Sequence, residues 1–374
     1  MPGNFNIQKV LVAPLDWGLG HATRCIPIIR DLLQQGYEVC YAAEGAQAAL
    51  LQQEFPQLSC LPLPGYRVQY SRTKRWLPLK LLLQAPGLIQ RINSEHRWLN
   101  KVIDVHHIDM VISDNRFGLY STKVPCIFIT HQLTIKAPFG WLEHMLQRIN
   151  YRYINRFHSC WVPDVAGLPN VAGVLSHPEK LPSIPLRYMG LLCRFRQQSL
   201  PVVYDYCIIL SGPEPQRSLL ETKILSGIAE VKGKVLLVRG KPGTRELPQV
   251  PAHVTVYNHL PTDKMQEAIL QSAYIVSRSG YTTVMELLSL QKRSILIPTP
   301  GQTEQEYLAE RLHEQRACFT VSQELFDCAR HFEMCRNFHY QLQEYETFGQ
   351  DFLPQISQIN TDGSGHSATI CVDL

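Results

Sequence analysis

Runs of consecutive apolar, often β-branched residues alternate with helix-length amphipathic segments along most of this 374-residue chain, and no other feature constrains the fold so tightly. Apolar residues in unbroken succession mark strands covered on both faces, the situation of a parallel sheet whose crossovers are helices. In the first half the predicted strands are Val10 to Pro14, Glu38 to Ala43, Met110 to Ser113, Cys126 to Thr130 and Cys160 to Pro163. Between the first two, Ala22 to Gln35 puts Ile26, Ile29, Leu32 and Leu33 on one helical face, with Gly36 placed to end it. A proline-rich passage from Leu181 to Phe195 breaks the pattern and reads as a linker. Strands then recur at Tyr206 to Leu210, Val235 to Val238, Val254 to Tyr257, Tyr274 to Ser277 and Ile295 to Pro298. The expectation is an α/β chain of two doubly wound parallel-sheet domains, 1–185 and 196–338, with a cleft facing the carboxyl ends of the strands. A polar helix at 339–358 is expected to pack back on the N-terminal domain, and 359–374 to form a disordered tail.

Composition removes several function classes. A net charge of +4 is too mild to point to nucleic acid, and no such partner is expected. Eleven cysteines without a C-x-x-C pair suggest neither a zinc ribbon nor a disulfide framework, which favours a reducing, cytoplasmic setting. The N-terminal residues lack the signal-peptide pattern, and the greasiest stretch, Leu77 to Ile89, is interrupted by Lys80, Gln84, Pro86 and Gly87. Membrane contact is therefore expected only at the surface. Arg67, Arg72, Lys74 and Arg75 among Tyr66, Tyr70 and Trp76, followed by Leu77 to Leu83, are the materials of a patch for an anionic membrane.

Four loops carry candidate chemistry. After the first strand, Asp16-Trp17-Gly18-Leu19-Gly20-His21 enters a helix. Gly18 and Gly20 permit close backbone approach, the helix start offers unpaired amides, and His21 can accept a proton near neutral pH. The missing third glycine, with Thr23 in its place, argues against a dinucleotide site. In the second half Ser211 and Gly212 feed a helix beside Arg217, a combination suited to phosphate. Arg278-Ser279-Gly280-Tyr281-Thr282-Thr283 leaves a strand, so that Gly280 and the hydroxyls of Ser279, Thr282 and Thr283 can surround a diphosphate while Glu286 takes a ribose diol. Gln302 and Gln305 follow the next strand and suit sugar hydroxyls. Loops at the ends of strands of one sheet converge by construction.

At these positions the chain resembles glycosyltransferase family 28, and within it the branch of peptidoglycan N-acetylglucosaminyltransferases, which act on a lipid-linked muramyl peptide. The resemblance rests on Gly20-His21, on the turn Ser211 to Gln216, on Arg278-Ser279-Gly280 with Thr283 and Glu286, and on Gln305-Glu306-Tyr307. It implies the GT-B arrangement of two Rossmann-like domains with a UDP-sugar as donor substrate, inversion at the anomeric carbon, and no cofactor. Glu286 would hold the ribose, Ser279 to Thr283 the diphosphate, Gln305 the donor sugar, and His259 with Leu260 would neighbour the uracil. On the acceptor side lie Gly18, Gly20, Asn115, Arg116, His131 and Gln132. The turn at Asp16 to Gly20 and the loop at Ser113 to Gly118 are poorer in glycine than their family counterparts, and Thr130-His131-Gln132 replaces a His-Glu-Gln element. A related transferase with a different acceptor is inferred, sugar or lipid-linked.

The expected base for the acceptor hydroxyl is His21, with Asp16 and Asp114 as alternatives, and the expected sink for the leaving diphosphate is the group of amides and hydroxyls at Ser279 to Thr283. No Asp-x-Asp is present to hold a metal, and none is expected. The competing expectations are a nucleotide-sugar hydrolase of the same fold and a nucleotide-sugar-binding protein without turnover.

Overall fold

The computed structural model describes residues 7–66, 77–137 and 139–349, and of 77–85 the backbone alone. The first sheet is built from β1 (Lys9–Pro14), β2 (Glu38–Ala43), β3 (Ser59–Pro62), β4 (Met110–Asp114), β5 (Cys126–Ile129), β6 (Ser159–Val162) and β7 (Leu186–Tyr188). All seven strands are parallel in the order β3-β2-β1-β4-β5-β6-β7. Its helices are α1 (Leu19–Gln34), α2 (Gly45–Glu54), α3 (Leu77–His106) and α4 (Gly140–Ile154).

The second sheet runs β10-β9-β8-β11-β12-β13, again wholly parallel. It comprises β8 (Tyr204–Ile209), β9 (Val235–Val238), β10 (Val254–Tyr257), β11 (Ser272–Ser277), β12 (Arg293–Leu296) and β13 (Phe319–Thr320). Between and after these strands come α5 (Gln216–Gly227), α6 (Thr262–Leu270), α7 (Tyr281–Ser289), α8 (Thr303–Glu314) and α9 (Cys328–Arg336). Each sheet reverses its winding once, between β1 and β4 and between β8 and β11, and the two crevices so made face each other.

The consecutive apolar residues behave as their pattern demands. Val10, Leu11, Val12 and Ala13 are fully buried, as are Val235 and Leu237 in the second sheet. One apolar cluster crosses the domain boundary, joining Ala22, Ile26 and Ile29 of α1 to Tyr281, Met285 and Leu288 of α7 through Leu191, Leu192 and Phe195. The two domains thus share hydrophobic core as well as polar contacts.

Two expectations change. The first sheet does not stop at 185, because β7 pairs with β6 through Cys160↔Leu186, Trp161↔Arg187 and Val162↔Tyr188. The prolines that suggested a linker stand before this edge strand, where a missing donor costs no ladder bond. Residues 339–349 are not helical. They form an extended strap that returns to the domain junction, where Leu191 N–H donates to Glu346 O (2.9 Å) and Phe348 N–H to Leu191 O (3.0 Å). Tyr345 and Phe348 pack against the shared core. A short polar segment gains little from an isolated helix, so these anchors decide its conformation. The proposed tail at 359–374 lies outside the described residues.

Gly190 makes room for the strap: it sits at φ +73°, and a Cβ there would meet Glu346 O at 2.8 Å and Thr347 C at 2.9 Å. Gly190→Ala is expected to destabilise the fold by about 1–3 kcal/mol, from backbone strain and displacement of the strap. Chemical denaturation checks this, and an unchanged midpoint would show that the strap contributes no stability.

Candidate active site

The first half of the site is set by strand register and helix phase. Asp114, the last residue of β4, lies opposite Pro14 at the end of β1, where the chain turns into α1. Gly18, at φ +81°, makes that turn. His21 and Arg24 then fall at i and i+3 on one face of α1, and both reach Asp114. His21 Nδ1 lies 2.9 Å from Asp114 Oδ2, and Arg24 Nε lies 2.9 Å from each carboxylate oxygen, with Nη2 a further donor to Oδ1. Asp114 is completely buried, Arg24 nearly so, while the His21 side chain keeps 16% of its surface exposed.

A carboxylate at Nδ1 makes that nitrogen the proton-bearing one and leaves Nε2 basic. Burial first, then the Arg24 charge, lower the proton affinity of His21 below the ordinary value of 6.5, against the opposing pull of Asp114. Burial alone would raise the Asp114 pKa, but Arg24 and His21 hold it below the usual carboxylate range. The result is a neutral imidazole beside a permanently charged Asp114–Arg24 pair.

The second domain closes on this group. Arg24 Nη1 lies 3.4 Å from His131 Nδ1, and His131 Nε2 lies 2.8 Å from Glu304 Oε1 on α8. Gln132 Nε2 donates to the other Glu304 oxygen. Tyr281 stacks on the His131 ring at 4.0 Å and donates its hydroxyl to Pro163 O (2.6 Å). The starts of α1 and α7 meet directly, with Thr282 Oγ1 donating to Gly20 O at 3.1 Å. A Cβ on Gly20 would stand 3.3 Å from that hydroxyl oxygen, so glycine suits this close approach.

Other residues singled out in the sequence have different positions. Asp16 Oδ1 accepts from Tyr66 N–H (2.9 Å), which ties the turn before α1 to the segment that follows β3. Asp114 has no exposed surface with which to meet an acceptor. Arg116 is fully buried, bonded to Glu95 Oε1 (2.7 Å), Pro14 O (3.2 Å) and Pro64 O (2.6 Å), and it holds the sheet end together. Asn115 adopts φ 58° and turns the chain out of β4. Tyr66 is buried, with its hydroxyl on Glu95, which removes it from the proposed membrane patch. The rest of that patch, 67–83, lies outside the described side chains.

In the second domain Arg278 is buried with neutral partners: it donates to Ile297 O (3.2 Å), Pro298 O (3.3 Å), Gln216 O (2.9 Å) and Gln323 Oε1 (2.6 Å). Burial pushes its pKa down to about 10. This guanidinium braces the loops after β8 and β12 and is placed for support, not for ligand contact. Arg217 is likewise buried, on Glu214, Glu221 and Arg239 O, which takes it away from phosphate. Ser211 and Gly212 are exposed after β8. Gly280 is the N-cap of α7, with Thr283 half-buried in its first turn, and Ser279 Oγ donates to Gln305 O (2.8 Å). Gln305 Nε2 bonds Gln302 Oε1 (2.5 Å) while its Oε1 accepts from Thr299 N–H (2.9 Å).

Glu286 is buried, and Arg194 from the domain junction lies against it, with Nε 2.8 Å from Oε1. Burial raises the proton affinity of Glu286 while Arg194 opposes the rise. His259 and Leu260 follow β10, and burial, then Arg194, lower the His259 pKa. Three site residues escaped sequence reasoning. Arg24 was legible as the i+3 neighbour of His21, whereas Glu304 and Arg194 have partners distant in the chain.

Two doubly wound parallel sheets facing each other across a cleft make the GT-B fold. Residues 216–330 match the glycosyltransferase family 28 C-terminal domain, and the chain is a GT-B glycosyltransferase that resembles that family. It is 23% identical over 299 residues to the UDP-N-acetylglucosamine--N-acetylmuramyl-(pentapeptide) pyrophosphoryl-undecaprenol N-acetylglucosamine transferase of Pasteurella multocida, covering 77% of each chain. It is also 23% identical over 333 residues to an uncharacterised glycosyltransferase of Methanosarcina acetivorans, covering 82% of this chain and 84% of that one. Similar folds occur in the glycosyltransferase SnogD of Streptomyces nogalater (TM-score 0.59, 14% identity, 89% and 91% coverage). Another is MurG of Acinetobacter baumannii (TM-score 0.51, 14% identity, 94% and 93% coverage).

The bracing by Arg278 is testable. Arg278→Met leaves several carbonyl oxygens without their charged donor, and a loss of roughly 2–3 kcal/mol is expected. Arg278→Lys should recover only part of it, since one ammonium cannot span the same acceptors. Urea denaturation followed by fluorescence checks both variants. A neutral Arg278→Met would assign the loop geometry to other contacts.

Proposed function

We propose that this chain transfers a sugar, an N-acetylhexosamine or hexose, from a UDP-sugar to an acceptor hydroxyl with inversion and without a metal. The observation that carries this reading is the meeting of the His21–Asp114 pair with the start of α7, 2.9 Å and 3.1 Å contacts that bring a neutral base and a set of helix amides to one cleft.

In the proposed reaction His21 Nε2 takes the proton of the acceptor hydroxyl as its oxygen bonds to the anomeric carbon. The bond from that carbon to the diphosphate oxygen breaks on the opposite face, and UDP leaves. Negative charge growing on the diphosphate meets the amides at the start of α7 and the hydroxyl of Thr283. Helix termini supply the positive potential, so the step calls for no metal. Glu286 takes the ribose hydroxyls after exchanging its Arg194 partner for them. Gln302 and Gln305 face the sugar, and His259 with Leu260 flank the base.

For the acceptor we propose a lipid-linked or otherwise amphiphilic alcohol met at a membrane surface. On α4 the residues Trp141, Met145 and Ile149 recur at i, i+4 and i+8 and are 66%, 42% and 47% exposed, with Phe139 at 54% just before them. Exposed His144, Arg148 and Arg152 run alongside. An apolar stripe beside a basic one suits an anionic lipid surface. The loop that leads to this helix starts at His131 in the cleft, and Lys136 O in the same loop accepts from Thr303 Oγ1 of the second domain (3.0 Å). No helix among the described residues is long and apolar enough to cross a membrane, and the reading is of a cytoplasmic protein with peripheral contact.

Calorimetric titration with UDP tests the donor assignment. Glu286→Ala should weaken binding by about 1–3 kcal/mol, while His21→Ala should keep UDP affinity and lower kcat on a competent acceptor by roughly 10²–10⁴-fold. Equal UDP affinity in Glu286→Ala would remove the ribose assignment. Rapid release of UDP from a UDP-sugar without acceptor would replace transfer by hydrolysis.

The membrane reading has its own measurement. The protein is expected to cosediment with vesicles containing anionic phospholipid, to release them at high salt, and to lose binding when Trp141 and Met145 become Ser and Arg148 becomes Glu. Absence of binding at low salt would argue for a soluble acceptor.

A further inference from the structure

Asp114 serves two cations with one carboxylate. A histidine paired alone with a buried carboxylate gains proton affinity from it, because the negative charge stabilises imidazolium. Here Arg24 grips both oxygens of the same carboxylate through Nε at 2.9 Å, while His21 Nδ1 shares Oδ2 at 2.9 Å. All three groups come from adjacent secondary-structure ends and are buried or nearly so. Arg24 also reaches outward, with Nη1 3.4 Å from His131 Nδ1, whose Nε2 meets Glu304 of the second domain at 2.8 Å. The chain His21, Asp114, Arg24, His131, Glu304 therefore runs without interruption from the base to the donor-binding domain.

From this arrangement we infer that Arg24 is a positioning residue for the base: it neutralises Asp114, so that the carboxylate orients the His21 ring without drawing a proton onto it, and the second domain holds Arg24 in that pose through His131. The groups facing His21 from the surrounding elements are Arg24 and Cys25 on α1, Asp114 on β4, His131 after β5 and Glu304 on α8. Cys25 is a neutral thiol whose pKa is pushed well up, by burial first and then by Asp114. Burial alone would raise the Glu304 pKa, but His131 and Arg24 hold it down. Among these neighbours Arg24 is the permanent cation bonded to the same carboxylate.

The electrostatic consequence has a definite sign. Removing the Arg24 charge leaves Asp114 to His21 alone, which stabilises the imidazolium and raises its pKa by about 1 unit or more. At neutral pH a larger share of His21 is then protonated and unable to act as base. Activity lost in this way returns as the pH rises, whereas activity lost through general damage to the fold does not.

The inference rests on His21 acting as the base, and it is tested without substrate. The full chain, labelled with ¹⁵N in its histidines, is titrated by NMR, with His21→Asn assigning the His21 signals. In the parent protein His21 is expected to titrate below 6.5, with the proton of the neutral ring on Nδ1. In Arg24→Gln, which keeps a neutral donor beside Asp114, its pKa is expected to rise by about 1 unit or more, and in Arg24→Lys to stay within a few tenths of the parent value. Thermal melting establishes that each variant is folded. A parent His21 titrating at or above 6.5 overturns the inference whether or not any variant folds. A folded Arg24→Gln with an unshifted His21, or an Arg24→Lys shifted as far as Arg24→Gln, overturns it as well. Because these are titrations of the protein alone, they stand apart from failure to find a sugar donor or acceptor.

Discussion

The site depends on one carboxylate that has no contact with water. Asp114 ends a strand at the centre of the first sheet, and an isolated charge there would be expensive. Two residues of α1, one turn apart, supply its partners. That requirement sets the rotation of α1 about its axis, and with it the direction in which His21 faces. It also explains why the charge is retained: Asp114 orients an imidazole, and the guanidinium beside it keeps the triad close to neutral. Removing one member would leave a buried charge uncompensated, which is why such groups behave as a unit.

The second domain uses a different device. Arg278 is a buried cation held by carbonyl and amide oxygens alone, and it ties together loops that leave three different strands. Glu286, by contrast, faces Arg194 from the domain junction. Its charge is balanced by a side chain outside its own helix, one that comes from the domain junction. The loops around Arg278 are thus braced by hydrogen bonds within the second domain, whereas Glu286 is held by an ion pair with the domain junction.

Much of this was legible in the chain. The strands announced themselves because parallel strands are apolar on both faces, and the loops after them were placed by topology alone. His21 stood out as a titratable residue at a glycine turn. The strand β7 escaped because prolines at 182 and 185 mimic a linker while leaving an edge strand intact. The strap at 339–349 escaped because its conformation comes from Leu191, about 150 residues earlier. Arg116, Arg217 and Arg278 were read as ligand-facing cations, since a basic residue in a loop shows nothing in sequence of the carbonyls and carboxylates that bury it.

By itself the sequence determined the class of fold, two parallel-sheet α/β domains, because hydrophobic period and turn residues act locally. Only the tertiary structure decided which charges pair. The pairing of Arg24 with Asp114 spans 90 residues and that of His131 with Glu304 spans 173. Each depends on strand register, on helix phase and on closure of one domain against the other, and electrostatic interaction follows distance in space, which local sequence pattern does not encode.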